Sequence, residues 1–251
     1  MSKVTAVILA GAKADFGEDT TIARAMIPVG GDTMIGHIAK ALKASPSIGK
    51  IIAVGDVACD EIDGVIAPGA SLFDNLLKGV EAAEAGDVLV LTCDIPLITP
   101  ESVEHFLAEA AGKGFDFAVP IISKEDCMAK YPEFKRTYLK IAEGTFTLGN
   151  IMMMSKNFVT EKRTTIENAY KARKNPVKLA SVLGFGVLCR LIAGAVCPCL
   201  LKISVLENMF GKMLGAKVKA VVSPYAEIGE DIDKQSDLDA VRAVFAERGV
   251  K

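Results

Sequence analysis

The sequence predicts an α/β fold built on a mostly parallel sheet flanked by helices, with an elaborated helical second half. Three observations carry that prediction. Short, wholly apolar runs rich in β-branched residues recur through the first 120 residues, as in strands covered on both faces. Segments with apolar residues at helical spacing separate them. The two kinds alternate, and that rhythm gives parallel strands joined by right-handed crossovers.

Val4 to Leu9 is the first such run, and Thr33 to Leu42 the first helix, with Met34, Ile35, Ile38, Ala39 and Leu42 on one face. Lys3 followed by Val4 to Ala12 loosely mimics a signal peptide, but one charge is a thin basic region and acidic residues follow, so a buried strand is expected. Ile51 to Val54 is a second strand. Ser71 to Ala85 is a helix with Ser71 as its N-cap and Leu72, Leu76, Gly79, Val80 and Ala83 on one face. Asp87 to Asp94 is a third strand. Pro100 to Ala111 is a helix opened by Thr99 as N-cap, with Glu101 near its positive end. Phe115 to Pro120 is a fourth strand.

Beyond Pro120 the rhythm breaks. "FKRTYLKIAEGTFTLGNIMMMS" reads as one or two antiparallel strands with a turn at Glu143-Gly144, followed by helical segments from about Asn157 to Leu214. Lys217 to Val222 is the last strand and Ser236 to Arg248 the last helix. No internal repeat or low-complexity linker divides the chain, so residues 1–251 are expected to form one domain, with a ligand-binding half over 1–120 and an elaborated half over 121–251.

The composition narrows the function. Of 251 residues 51% are hydrophobic, enough for a sizeable core, and the net charge of −2 argues against wide contact with a nucleic-acid backbone. Six cysteines follow no regular framework and read as reduced thiols of a cytoplasmic protein. "CPC" at Cys197 to Cys199 places two thiols close together, but no second pair sits at zinc-site spacing, so ordinary thiols are expected. Leu179 to Leu206 is as long as a membrane span. Arg190, Pro198 and Lys202 interrupt it, so the expectation is buried helices, or a surface over 179–214 that meets another subunit, with attachment to a membrane surface as the lesser alternative.

Parallel sheets bind ligands at the carboxyl ends of their strands, which nominates three places. After Leu9 comes "AGAKADFGEDTTIARAMIPVGG". It matches neither the dinucleotide G-x-G-x-x-G pattern nor the Walker loop. Gly11, Lys13, Arg24 and the loop backbone remain as groups for a phosphate. After Val54 comes "PGASLFDNLLKG", where Ser71 and Asn75 lie one helical turn apart and suit a base or ribose. After Thr92 comes "CDIPLITPE", with Asp94 at the end of a buried strand, where a carboxylate is costly unless partnered. A hard cation such as Mg²⁺ is a natural partner. Near the C-terminus "EIGEDIDKQSDLDAV" offers Asp231 and Asp233 as further carboxylates, although Ser236 and Asp237 also read as ordinary helix-start residues.

With these segments in order the chain resembles the MobA-like nucleotidyltransferases, which share a Rossmann-like fold with the sugar-phosphate nucleotidyltransferases. "AVILAGAKA", "ARAMIPVGGDTMIGHIAKAL", "LTCDIPLITPESV" and "DIDKQSDLDAV" carry the likeness. The resemblance implies the nucleotide-diphospho-sugar transferase type of fold. It implies transfer of a nucleoside monophosphate from an NTP, GTP or CTP, to a small phosphorylated acceptor, with pyrophosphate leaving. It further implies catalytic roles for Lys13, Arg24 and Asp94. The nucleotide would lie along Leu9, Ala10, Gly11, Ala12, Lys13, Arg24, Ser71 and Asn75, with Mg²⁺ on Asp94 and Asp233. The acceptor would lie near Gly149 and Asn150. The chain departs from the pattern at Ala12, where the family has a second glycine, at Lys13, the only base early in the loop, and at Arg24, where the family has lysine. Two other readings stand beside it: a non-catalytic nucleotide-binding or assembly protein, and a glycosyltransferase of the same fold. Asp94-Ile95-Pro96 lacks the Asp-x-Asp that the glycosyltransferase needs.

Overall fold

A computed structural model describes residues 3–172 and 197–249. The first strand, β1 (Val4–Leu9), leads through a long loop, a short 3-10 turn at Arg24–Met26 and a small hairpin, β2 (Pro28–Val29) and β3 (Asp32–Thr33), into helix α1 (Met34–Lys43). Then come β4 (Ile48–Val54), β5 (Gly64–Ile66), α2 (Leu72–Ala82), β6 (Asp87–Thr92), α3 (Pro100–Ala110) and β7 (Phe117–Ser123). The second half holds α4 (Lys124–Lys130), β8 (Leu139–Ile141), β9 (Gly144–Leu148), β10 (Ile151–Ser155), α5 (Lys156–Glu161) and α6 (Arg163–Ala172). The second described segment adds α7 (Ile203–Leu214), β11 (Val218–Ser223) and α8 (Gln235–Glu247).

Nine strands form one sheet in the order β5-β4-β1-β6-β10-β7-β9-β8, with β11 also paired to β7. The expected mostly parallel sheet is present: β4, β1 and β6 are parallel, as are β7 and β11, and β10 inserts antiparallel between β6 and β7. The apolar run of β1 is continuous because its alternate residues face two layers. Ala6 and Ile8 pack with residues of α1 and α3, while Val7 and Leu9 pack with residues of α2 and α5.

The caps behave as their residue types require. The hydroxyls of Thr33, Ser71 and Thr99 each accept a backbone N–H in the first turn of α1, α2 and α3, and Thr99 with Ser102 completes a capping box.

Beyond an earlier start for β4 and the unread short elements β2, β3, β5 and α4, three boundaries near the crevice differ from the sequence reading. The third strand stops at Thr92, so Asp94 stands beyond it in the connector. β7 runs through Pro120 to Ser123. Proline is tolerated there because its place in the ladder falls where the neighbour changes from β10, paired as far as Ala118, to β9, paired from Ile121. The segment from Leu139 to Ser155 makes three strands, since the chain breaks its pairing again at Gly149-Asn150. Residues 179–196 of the apolar stretch lie outside the described residues, and among the described residues no helix is long and apolar enough to cross a membrane.

Candidate active site

From β1 the chain steps outward to β4 and β5, then returns to place β6 on the other side of β1. That reversal opens a crevice outside the carboxyl ends of β1 and β6. Leu9 and Thr92 are register partners at those ends. The loop that begins at Gly11 and the connector that holds Asp94 therefore emerge side by side.

The loop after β1 is not loose. Arg24 N–H donates to the Ala12 carbonyl (2.9 Å) and Ala14 N–H to the Ile22 carbonyl (3.0 Å), with Lys13 bridged to Ala23 between them. This short ladder returns the chain to the mouth of β1 and delivers Arg24 there. The Arg24 guanidinium lies over the Phe16 ring (5.1 Å), pairs with Asp15 (2.7 Å) and stands 3.7 Å from Asp94. Its Nε is buried without a hydrogen-bond partner. Lys13 is exposed on the loop. The loop tip reaches α8, where Gly17 N–H donates to Gln235 Oε1 (3.0 Å) and Glu18 lies 3.8 Å from Arg242.

Asp94 is almost enclosed, its side chain 15% exposed, and its Oδ1 is buried with no hydrogen-bond partner. Burial pushes its carboxyl up from the ordinary range; Thr92 and the Arg24 charge pull it back, and the Asp233 charge pushes it further. Ile232 N–H donates to the Asp94 carbonyl at 2.9 Å. That bond seats the Asp231–Asp233 turn against the Asp94 connector. One carboxylate oxygen from each of Asp94, Asp231 and Asp233 lies within 4.8 Å of the other two.

The turn is fastened from behind. Arg136 binds Glu230 at 2.9 Å and Asp231 more closely still. Glu230 is fully buried, and that burial raises its carboxyl while Arg136 holds it down. Just ahead of the turn, Thr99 Oγ1 and Lys130 Nζ donate to the two oxygens of Glu227, at 2.9 and 2.6 Å. The arrangement sets three carboxylates and one guanidinium around one end of the crevice, suited to gripping a polyphosphate together with a cation.

A family model of the MobA-like NTP transferase domain matches residues 6–174. The chain belongs to this family. Among solved structures it is similar to a hypothetical transferase from Thermus thermophilus, at 31% identity over 94% of this chain and 99% of the other, with a TM-score of 0.85. It also shares its fold with a 2-C-methyl-D-erythritol 4-phosphate cytidylyltransferase from Thermus thermophilus (18% identity, 97% and 99% covered, TM-score 0.59). A CMP:2-keto-3-deoxy-manno-octonic acid synthetase complexed with CTP has the same fold (15% identity, 98% and 100% covered, TM-score 0.60). No curated protein matches the chain.

In this MobA-like transferase domain Asp94, Asp233 and Arg24 come together as the sequence led one to expect, and Asp231 joins them. Ala10 holds the base of the loop through its N–H to the Val54 carbonyl (2.9 Å). Gly11 lies against the Asn75 amide, and a Cβ at position 11 would collide with it. Asn75 is buried, and its Oδ1 accepts the Gly69 N–H at 2.6 Å, so its oxygen joins α2 to the loop that precedes it. The Ser71 hydroxyl exchanges hydrogen bonds with Asp74 at the start of α2. Gly149 N–H and Asn150 N–H donate to Pro120 and Ile228 carbonyls (2.9 and 2.7 Å), and the Asn150 carbonyl accepts the Thr92 N–H (3.3 Å). These two residues thus join β6, β7 and the segment just ahead of the carboxylate turn. Sequence reasoning missed Arg136 and Asp15. Arg136 lies 95 positions from Asp231, and no local pattern links a charge in "FKRTY" to an acidic turn that far away. Asp15 was visible only as one of several loop charges.

Proposed function

We propose that this protein transfers a nucleoside monophosphate from an NTP to a small phosphorylated acceptor, with release of pyrophosphate. The observation that carries this reading is the meeting of Asp94, Asp231 and Asp233 with Arg24 at the crevice between β1 and β6.

The site fits a divalent cation. The buried, unpartnered Oδ1 of Asp94 is the kind of atom that a cation satisfies, and the donors are all carboxylate oxygens, the set that Mg²⁺ prefers. Asp94, Asp231 and Asp233 would hold it. A cation held by these carboxylates would supply positive charge to offset the negative charge of the phosphates.

The chain's own residues supply the rest. Arg24 offers a planar fork of donors to the phosphates, once Asp15 releases it. Lys13, exposed on the loop that carries Arg24, adds a second positive charge to that loop. Positioning of donor and acceptor, and fixed charge at the α-phosphate, suffice for such a transfer without a covalent intermediate. CTP is the first donor to try, because two proteins that share this fold are a cytidylyltransferase and a synthetase crystallised with CTP; GTP is the second. A phosphorylated sugar or polyol is the acceptor class to screen.

The test measures pyrophosphate release with each NTP, Mg²⁺ and a panel of sugar and polyol phosphates, for wild type and Asp94→Asn. Turnover with one NTP that needs both Mg²⁺ and Asp94 supports the reading. Turnover that survives Asp94→Asn unchanged would remove the site assignment.

A further inference from the structure

Two thiols outside the crevice are not used by the proposed chemistry. Cys197 and Cys199 flank Pro198 at the start of a short 3-10 turn, Pro198–Leu200. Both are exposed. Their sulfur atoms face each other at 2.8 Å, inside the ordinary non-bonded contact of two sulfurs and not far from the bond length of about 2.05 Å that a disulfide requires. The turn itself holds them there. Leu200 N–H donates to the Cys197 carbonyl and Leu201 N–H to the Pro198 carbonyl, both at 3.0 Å. Pro198 fixes its own backbone angle, so much of the ordering needed to bring the thiols together is already built in.

The other use of paired thiols is metal binding. A structural zinc site takes four ligands. Among the described residues no third His, Cys, Asp or Glu joins these two sulfurs in a cluster; the one such group is the Asp94, Asp231, Asp233 set. The remaining cysteines with described surroundings are also set apart. Cys59 is half-buried and donates its thiol to Glu61 at 3.1 Å; Cys93 and Cys127 are buried. They are protected from the exchange that the exposed pair permits.

We propose that Cys197 and Cys199 form a reversible dithiol–disulfide site that closes by exchange with a low-molecular-weight disulfide. One thiolate attacks the small disulfide, forms a mixed disulfide and releases one small thiol. The second thiolate then attacks the protein sulfur of that mixed disulfide and releases the other small thiol. One protein S–S bond is made and one small-molecule S–S bond is broken; the protein gives up two electrons, and two small thiols carry away the protons. Closure across a single residue makes a tight ring, and strained, exposed disulfides are the readily reduced ones, so the step reverses with excess thiol.

The location gives closure a consequence. The same strap fastens the β8–β9 turn to α7: the Leu201 carbonyl accepts the Ala142 N–H (2.8 Å), and the Glu143 carboxylate accepts the Ile203 N–H (3.1 Å). Leu206 and Phe210 of α7 face Ile121, Ile141 and Phe146 across an apolar cleft of about 560 Å³. The pair therefore lies on the strap that holds one wall of that cleft.

The experiment incubates the reduced full-length protein with excess oxidised glutathione, traps remaining thiols with N-ethylmaleimide, and maps the peptides by mass spectrometry. The expected product is a peptide that holds Cys197 and Cys199, lighter by two hydrogens and free of both labels. Excess reduced glutathione should restore two alkylatable thiols. In Cys199→Ser the reaction should stop at a glutathione adduct on Cys197. A wild-type product that carries glutathione on either cysteine, a pairing with Cys189, or two thiols that remain fully alkylatable would each overturn the proposal.

Discussion

The backbone N–H of Ile232 donates to the carbonyl of Asp94 at 2.9 Å. One main-chain bond thus ties Asp94 to the turn that bears the other two carboxylates of the cluster, 137 to 139 positions later in the chain. Because it uses backbone atoms only, it persists when any of the three side chains is changed. Substitutions at the carboxylates therefore test chemistry with little disturbance of the frame.

Asp94→Asn should abolish Mg²⁺-dependent turnover, by a factor of a hundred or more on the order expected for loss of a transition-state charge, while the metal-free protein becomes more stable. The gain follows from removal of a buried negative charge, which desolvation and the Asp233 charge both disfavour; the amide keeps an oxygen at the same place. Its pH dependence has a definite sign. The raised carboxyl binds its proton more tightly in the folded chain than in the unfolded one, so stability falls as pH rises from the ordinary carboxylate range through the raised value. Urea melts of wild type and Asp94→Asn across that window should diverge as pH rises. Parallel curves would sink the assignment.

Mg²⁺ alone should raise the melting temperature of the wild type. At a hundred times its Kd the gain is about 2.7 kcal/mol. Asp231→Asn and Asp233→Asn should each weaken the shift, and the double variant should remove it. A shift that survives the double variant would place the ion elsewhere.

Arg136→Ala leaves fully buried Glu230 and its neighbour Asp231 without their counterion. Breaking one side of such a pair costs about 3–5 kcal/mol. The loss should shrink toward acid pH, where Glu230 takes up a proton at its raised value. Denaturant midpoints at neutral and acid pH give the comparison; equal losses at both would contradict the buried-pair account.

Gly11→Ala drives a methyl into the Asn75 amide and should destabilise by about 1–3 kcal/mol. Asn75→Ala removes the obstacle but leaves the Gly69 N–H without its acceptor. The double variant should therefore be less damaged than the sum of the two, by about 1 kcal/mol or more. Strict additivity in a double-mutant cycle would show that Gly11 is required for another reason.

Asp15→Asn releases the Arg24 guanidinium from its exposed partner, which is 65% accessible. An exposed pair is worth up to about 1 kcal/mol, so tripolyphosphate should bind roughly two- to fivefold more tightly at low salt. Titration calorimetry reads this directly, and unchanged or weaker binding would mean that Asp15 does not compete with phosphate for Arg24.

By itself the sequence determined the layered α/β order. The run Val4–Leu9, apolar but for Thr5, belongs in a strand covered on both sides, and Ser71 and Thr99 mark the starts of α2 and α3, because burial pattern and capping act over a few residues. It also led to Arg24 and Asp94, since strand ends are local signals and parallel sheets bind at one edge, while only the resemblance to a family singles out Asp233. Tertiary structure alone decided how those residues meet. The antiparallel insertion of β10 at Gly149-Asn150, the Arg136 pairs with Glu230 and Asp231, and the contact of Asn75 with Gly11 join positions far apart in the chain. No local preference encodes them: each depends on which distant group the packed sheet and helices bring within a few ångströms, and on the cost of leaving a buried charge or amide without a partner.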